Sequence, residues 1–384
     1  MKRMKKTAVV LISVFLPFLL SGCWDYREVE NLALVSGVGV DLGQNGHQYH
    51  LTFECVQMTN DQEGASVQPW IIETDGDTIF EAVRNALKVS DDKLYFNPCK
   101  VLLLGEDVAK AGILPVLDWF LRDAEPRITQ NVVIAKGKTA SEILTQEPEP
   151  GRLNAGLISN LISETSDFSG ETVRQRLYEV DNILNSEGTS LTLPGVTTAE
   201  DSGDPKIKLC GAAVFKEDKL TGWLTEDQTQ YLNFILNQTQ SGLIVTSDNS
   251  QGKKTTLEIL SSSTQVEPVV KNDSVTMKIH VEISAALGER ESKTELPGEE
   301  AIPKAEEDAE KTLKEGIGLL ISKVQREYDS DIFGFGSTIY QNDPKIWEQL
   351  KPEWDSTFKN LKYETDVQIK IRNAALTITQ KEGG

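Results

Sequence analysis

The chain has 384 residues, 39% hydrophobic and 7% aromatic, enough for two or three folded domains and too apolar for a disordered acidic chain. Its formal charge is −20, and the first 22 residues hold four basic and no acidic side chains, so the remainder carries 35 basic against 59 acidic groups. Such a surface speaks against nucleic acid, which needs a basic footprint, and against broad electrostatic adhesion to anionic lipid.

Lys2, Arg3, Lys5 and Lys6 open the chain, and Ala8 to Leu20 is apolar apart from Ser13 and Pro17. This is the charged start and apolar core of a secretory signal, shorter than the roughly 20 residues of a spanning helix. It ends in Leu20-Ser21-Gly22-Cys23, which is similar to a bacterial lipobox. In that pattern a diacylglycerol is attached to the cysteine thiol and the peptide before it is removed. Residues 1–22 are then a lipoprotein signal peptide, and Cys23 is the first mature residue. An ordinary cleaved signal with an incidental cysteine is one alternative, and an uncleaved anchor another. The two acyl chains of a diacylglyceryl group anchor stably where one alone binds reversibly. Of the other cysteines, Cys55, Cys99 and Cys210 form no CxxC, so a zinc knuckle or disulfide framework is not indicated. Buried free thiols are expected, with one disulfide as the alternative.

After the short amphipathic collar Trp24–Glu30, Leu34 to Val40 predicts a strand, and the turn residues Gln44-Asn45-Gly46 lead to a returning strand. In that strand Tyr49, Leu51, Phe53 and Cys55 alternate with the polar His50, Thr52 and Glu54. Thr78-Ile-Phe-Glu81 is a capping box for a helix burying Ile79, Val83, Ala86 and Leu87. A strand over Lys100 to Leu104, a helix from Ile113 to Arg122 and a strand over Asn131 to Ala135 follow. A second capping box, Thr139-Ala-Ser-Glu142, then opens a short helix. Beyond Glu147-Pro-Glu-Pro150-Gly151 come helical patterns over Leu153 to Glu164 and Glu171 to Asn185. A strand over Leu191 to Pro194 precedes the polar loop Glu200 to Pro205. Ile207 to Phe215 and Leu220 to Leu224 then make a hairpin, and Thr225 caps a helix.

Past the polar linker Asp248 to Lys253, Val275 to Ile283 and Tyr363 to Ile371 alternate apolar with polar residues, as in an antiparallel sheet covered on one face. Between them Pro303 to Tyr328 is a long helix. Its stripe is Ala305, Ala309, Leu313, Ile317, Leu320, Ile321, Val324 and Tyr328. Tyr328 to Pro352 predicts a long aromatic, Gly-rich connection. Strand and helix alternate before the first break, so that part is α+β or α/β, and the two breaks divide the chain into 24–148, 149–250 and 253–384. The last is an antiparallel sheet packed by one long helix.

Chemistry is sparse. His47, His50 and His280 form no ligand cluster, and HExxH, GxSxG and Walker patterns are absent. Gly37 and Gly39 suit close backbone approach rather than a dinucleotide fingerprint. Asp329 and Asp331 fit caps or solvated turns better than a cation site, and Gly334-Phe335-Gly336 fits a tight bend better than a contact surface. No catalysis, metal or cofactor is expected beyond the lipid on Cys23.

These pieces resemble, in order, the Ger(x)C lipoproteins, the C subunits of bacterial spore germinant receptors. Leu20 to Asp25, Glu28-Val-Glu30-Asn-Leu32 and Gly39-Val-Asp41 carry the first part of the likeness. Asp77 to Ala82, Lys93 to Phe96, Lys100 to Gly105, Pro115 to Asp123 and Glu125-Pro126-Arg127 follow. Gly211 to Gly222, Tyr328 to Gly336 and Trp354-Asp355 complete it. Two stretches depart from the pattern: Asn97-Pro98-Cys99, where a histidine is usual, and Asn373-Ala374-Ala375 after Arg372. The resemblance implies a non-enzymatic α+β subunit on the outer surface of the spore inner membrane, lipid-anchored at Cys23. It implies integral-membrane A and B subunits as partners. Candidate partner contacts are Trp24 and Asp25 beside the anchor, and Phe333 and Phe335. A solute-binding lipoprotein serving a transporter is the second reading, and a lipid-anchored hydrolase a distant third.

Overall fold

The computed structural model describes residues 32–43, 46–61, 64–201, 204–247, 254–271, 274–290 and 298–374. The signal segment, Cys23, the Trp24–Glu30 collar and the linker before Lys254 lie outside them.

The architecture is α+β, two sheets with helices packed against both. The first sheet is built around β1 (Leu32–Leu42), with a buried run from Val35 to Asp41. Its other strands are β2 (Tyr49–Asp61), β3 (Gly64–Gly76), β4 (Lys93–Tyr95), β5 (Val101–Gly105), β6 (Asn131–Ala135), β7 (Thr192–Asp201), β8 (Asp204–Lys216) and β9 (Lys219–Leu224). The order is β3-β2-β1-β5-β6-β7-β8-β9, with β4 beside the start of β1. β1, β5, β6 and β7 are parallel, and antiparallel strands close each end. Strands from both sides of the Pro148–Gly151 break thus share one sheet.

Alternate residues of β5 explain why its run is apolar throughout. Leu102 and Leu104 join one core, with α1 (Ile79–Asn85), α2 (Glu106–Ala111) and α3 (Leu114–Arg122), while Val101 and Leu103 join another. On that second face lie α4 (Ala140–Leu144) and α5 (Asn154–Phe168). A Cβ on Gly37 would stand 2.5 Å from the Ala155 methyl, and one on Gly39 3.1 Å from that of Ala140. The glycines serve close approach, as expected. β2 forms as expected, but its polar Thr52 and Glu54 are fully buried because α4 and α5 roof that side. Leu87 also differs. The helix tightens into a 3₁₀ turn at Ala86, leaving Leu87 exposed while Ala82 takes the core position. Only Leu177–Leu184 of the predicted second helix forms, as α6. Before it the chain is extended, bridging Arg176 to Asn131.

α7 (Glu226–Ile235) leads to the second sheet, β10 (Gly242–Ser247), β11 (Lys254–Lys271), β12 (Ser274–Arg290) and β13 (Lys362–Ala374), paired in that order. β10, β11 and β12 are antiparallel neighbours, whereas β13 runs parallel to β12, so the expected antiparallel sheet is a mixed one. The reason is the return path: the long helix α8 (Gly298–Lys323) carries the chain away from the sheet and a string of short helices carries it back. The predicted apolar stripe is buried from Ala309 to Val324, with Ala305 and Tyr328 half-buried at its ends. A π turn (Val324–Tyr328) ends the helix, and Asp329 takes a left-handed φ of 52°. The connection after Tyr328 is not irregular. It holds α9 (Phe335–Asn342), α10 (Pro344–Leu350) and α11 (Trp354–Lys359), with Asp331 and Asp343 accepting from free N–H groups at the first two starts.

Candidate functional site

Cys23, Trp24 and Asp25 fall outside the described residues. Phe333 and Phe335 lie inside the second core, their rings stacked with centroids 5.1 Å apart and packed near Phe358. They are interior residues rather than a surface pair.

The stretch around them joins the two sheets. Gly334 has φ 68°, and the Asp331 carboxylate accepts from Phe335 N at 3.1 Å and Gly336 N at 2.8 Å, so the bend and the cap are one device. Ser190 N donates to the Asp331 carbonyl at 2.8 Å, and Ser337 N to that of Gly188 at 2.9 Å. Lys216 reaches Asp329 at 2.7 Å and Asp355 at 3.0 Å, with Lys359 3.1 Å from Asp329. The Tyr328 hydroxyl donates to the Trp223 carbonyl at 2.8 Å. Three stretches distant in sequence, Gly211 to Gly222, Tyr328 to Gly336 and Trp354-Asp355, therefore meet at this joint.

Burial pushes the Asp331 carboxyl up to about 7, against the lowering effect of the Gly336 and Phe335 N–H groups. A carboxyl whose folded pKa is raised contributes stability that is complete below its ordinary value of 3.8 and is lost as pH rises through about 7. Burial also raises Asp41 and Glu54, with the same sign. Burial acts to raise Asp329 too, but Lys216 and Lys359 hold it below its ordinary value, so its contribution is lost only at lower pH. The thermal midpoint should therefore fall between pH 4 and pH 7, roughly the window of the raised carboxyls. Asp331→Asn should flatten that slope. An unchanged slope would remove Asp331 from the titration.

Parallel sheets bind ligands at the carboxyl ends of their strands. Here the chain's own carboxylates, Asp41 and Glu106 among them, line an open cleft at that rim. Asp41, near the end of β1, accepts from Ala140 N at 2.8 Å and Ser141 N at 2.9 Å. Glu106 accepts from Gly137 N at 2.7 Å and pairs with Lys110 at 3.0 Å. On the same face as α4, Glu54 accepts from Asn154 N and Ser36 Oγ, both at 2.6 Å, and from Ala155 N at 2.9 Å. Cys55, Cys99 and Cys210 are free and buried, and burial pushes their thiols up to about 12, 12 and 11, far from a reactive thiolate. Each histidine faces a carboxylate: His47–Asp77 at 3.2 Å, His50–Asp75 at 2.8 Å and His280–Asp366 at 2.9 Å. Among the described residues no three such groups converge as a metal site.

One apolar groove stands apart. Phe80, Val83 and Leu87 form one wall, with Leu94, Phe96 and Trp119 opposite. Phe80 is 47% exposed and Leu87 50%, while Trp119 meets Phe96 edge-on at 5.3 Å. Arg84 lies 5.0 Å over the Phe80 ring, and Lys93 pairs with Glu125 at the rim. The Trp119 Nε1–H is buried with no acceptor among the described residues. Four of the stretches that carried the resemblance converge here: Asp77 to Ala82, Lys93 to Phe96, Pro115 to Asp123, and Glu125 to Arg127. No sequence argument had marked this site. The available signal was Phe80, an aromatic outside the buried stripe of its own helix.

The crystal structure of the GerBC protein shares the fold, with a TM-score of 0.58 and 24% identity over 91% of this chain and 100% of that one. Residues 25–198 match the family model for the spore germination protein N-terminal domain, and residues 210–375 match that for spore germination B3/GerAC like, C-terminal. In Bacillus subtilis (strain 168) the chain is 28% identical to spore germination protein B3, over 96% of this chain and 98% of that protein. It is 25% identical to spore germination protein KC, over 97% of each. Spore germination protein A3 is also 25% identical, over 95% of this chain and 97% of that one. The chain belongs to the GerAC-like spore germination proteins, the non-enzymatic C subunits of germinant receptors.

Proposed function

We propose that the protein is the lipid-anchored C subunit of a germinant receptor. A diacylglycerol on Cys23 holds it at the outer surface of the spore inner membrane, where it acts with the integral-membrane A and B subunits to trigger nutrient-induced germination. One observation carries the reading. The lipobox-like Leu20-Ser21-Gly22-Cys23 ends two residues before the family match begins at Asp25. No helix of the described residues is long and apolar enough to cross a membrane. The acidic body adds no electrostatic hold, so the two acyl chains supply the membrane affinity.

Cys23→Ala tests this. The variant is expected to leave the membrane fraction and to abolish the response of spores to the cognate nutrient. Retention in membranes together with normal germination would overturn the anchor.

A further inference from the structure

The chain enters the described body at the wall of the Phe80–Trp119 groove. Leu32, the first residue of β1, pairs with Lys93, and Ala33 pairs with Leu94; Lys93 and Leu94 both line the groove. We propose that the groove seats the chain's own Trp24–Asn31 segment before it passes into β1.

Reach permits this. Eight residues in extended form span up to about 28 Å, at roughly 3.5 Å per residue. Composition fits as well: Trp24, Tyr26 and Val29 supply apolar side chains for the apolar walls. Exposed Phe80 and Leu87 gain cover from the same seating. A partner protein could fill such a groove too. The tethered segment outcompetes it, because a short linker gives an effective concentration on the order of millimolar. Where Cys23 carries lipid, the reading proposed above, the seating also turns the groove face toward the membrane, since Trp24 adjoins the anchor.

A benzophenone amino acid placed at Phe80, and separately at Leu87, in the full chain tests the seating, because both positions are exposed. After irradiation of native membranes, mass spectrometry should find each probe joined to a residue of the Trp24–Asn31 segment of the same chain. The paired substitution Trp24→Ala and Tyr26→Ala should remove most of that product. Crosslinks to another polypeptide, or none within residues 24–31, would overturn the seating. The same crosslink is read on the Cys23→Ala chain, so failure of the anchor and failure of the seating give different results.

Discussion

Gly188→Ala is expected to cost about 3 kcal/mol of stability, although it adds a single methyl group. Gly188 has φ 68°, where an L side chain is strained by roughly 1 kcal/mol. The new Cβ would also stand 2.5 Å from the Gly336 carbonyl carbon and 2.6 Å from Ser337 N. These are backbone atoms, so relief requires moving α9 itself, and overpacking of this kind costs roughly 1–3 kcal/mol. A Cβ on Gly336 would likewise stand 2.7 Å from Gly188 Cα and 2.8 Å from the Trp347 ring, so neither side has slack. Gly151→Ala is the control. Its φ is 75°, but nothing lies within 4 Å of the added methyl, so it should cost only the strain of about 1 kcal/mol. Chemical denaturation of both variants checks the difference. Equal losses would mean that the two backbones are not pressed together at the joint.

Removing the Glu54 side chain should be costlier still, about 4 kcal/mol for Glu54→Ala. The carboxylate is fully buried and holds Ser36 Oγ and the N–H groups of Asn154 and Ala155. Alanine leaves the two N–H groups buried with no acceptor, while Ser36 Oγ keeps the Glu54 carbonyl at 2.9 Å, and each abandoned group costs roughly 1–3 kcal/mol. Part of that is offset because burial makes the charged carboxylate itself costly to hold, the reason its pKa is raised. Glu54→Gln keeps one carbonyl oxygen and the packing, so its loss should be roughly half. Thermal unfolding followed by circular dichroism ranks the variants. A loss for alanine no larger than for glutamine would show that the donors find water instead.

Legibility followed the presence of a wet face. β12, β13 and α8 each bury one side, so their periodicity was visible before any coordinates. The runs Val101 to Leu104 and Asn131 to Ala135 were readable too, because burial on both faces leaves no polar interruption. β2 shows the limit of the same logic: its alternation is real, but the polar face is covered. β11 carries Ser261-Ser262-Ser263-Thr264 with no apolar rhythm and is a strand because β12 supplies its hydrogen-bond ladder. Glu171 to Arg176 has a helix-like pattern yet runs extended, where Val132 N donates to the Gln175 carbonyl at 3.0 Å. The joint was legible only in part: the bend and the cap were anticipated, the partner loop at Gly188 was not. The groove was invisible because Phe80, Phe96 and Trp119 are far apart in the chain, and only topology gathers them. Cys23, by contrast, is marked by purely local order.

The position of β1 bears on how the chain matures. It is the first strand among the described residues, yet it ends between β2 and β5, with β6 one strand further on. Until Gly105 has emerged, the apolar run from Val35 to Val40 has one edge with no parallel partner. The core that encloses it also draws on residues as late as Phe215. Such long-range parallel pairing is slow and leaves strand edges open to other chains. The nascent protein therefore carries an open first-strand edge until about a quarter of its length has been made.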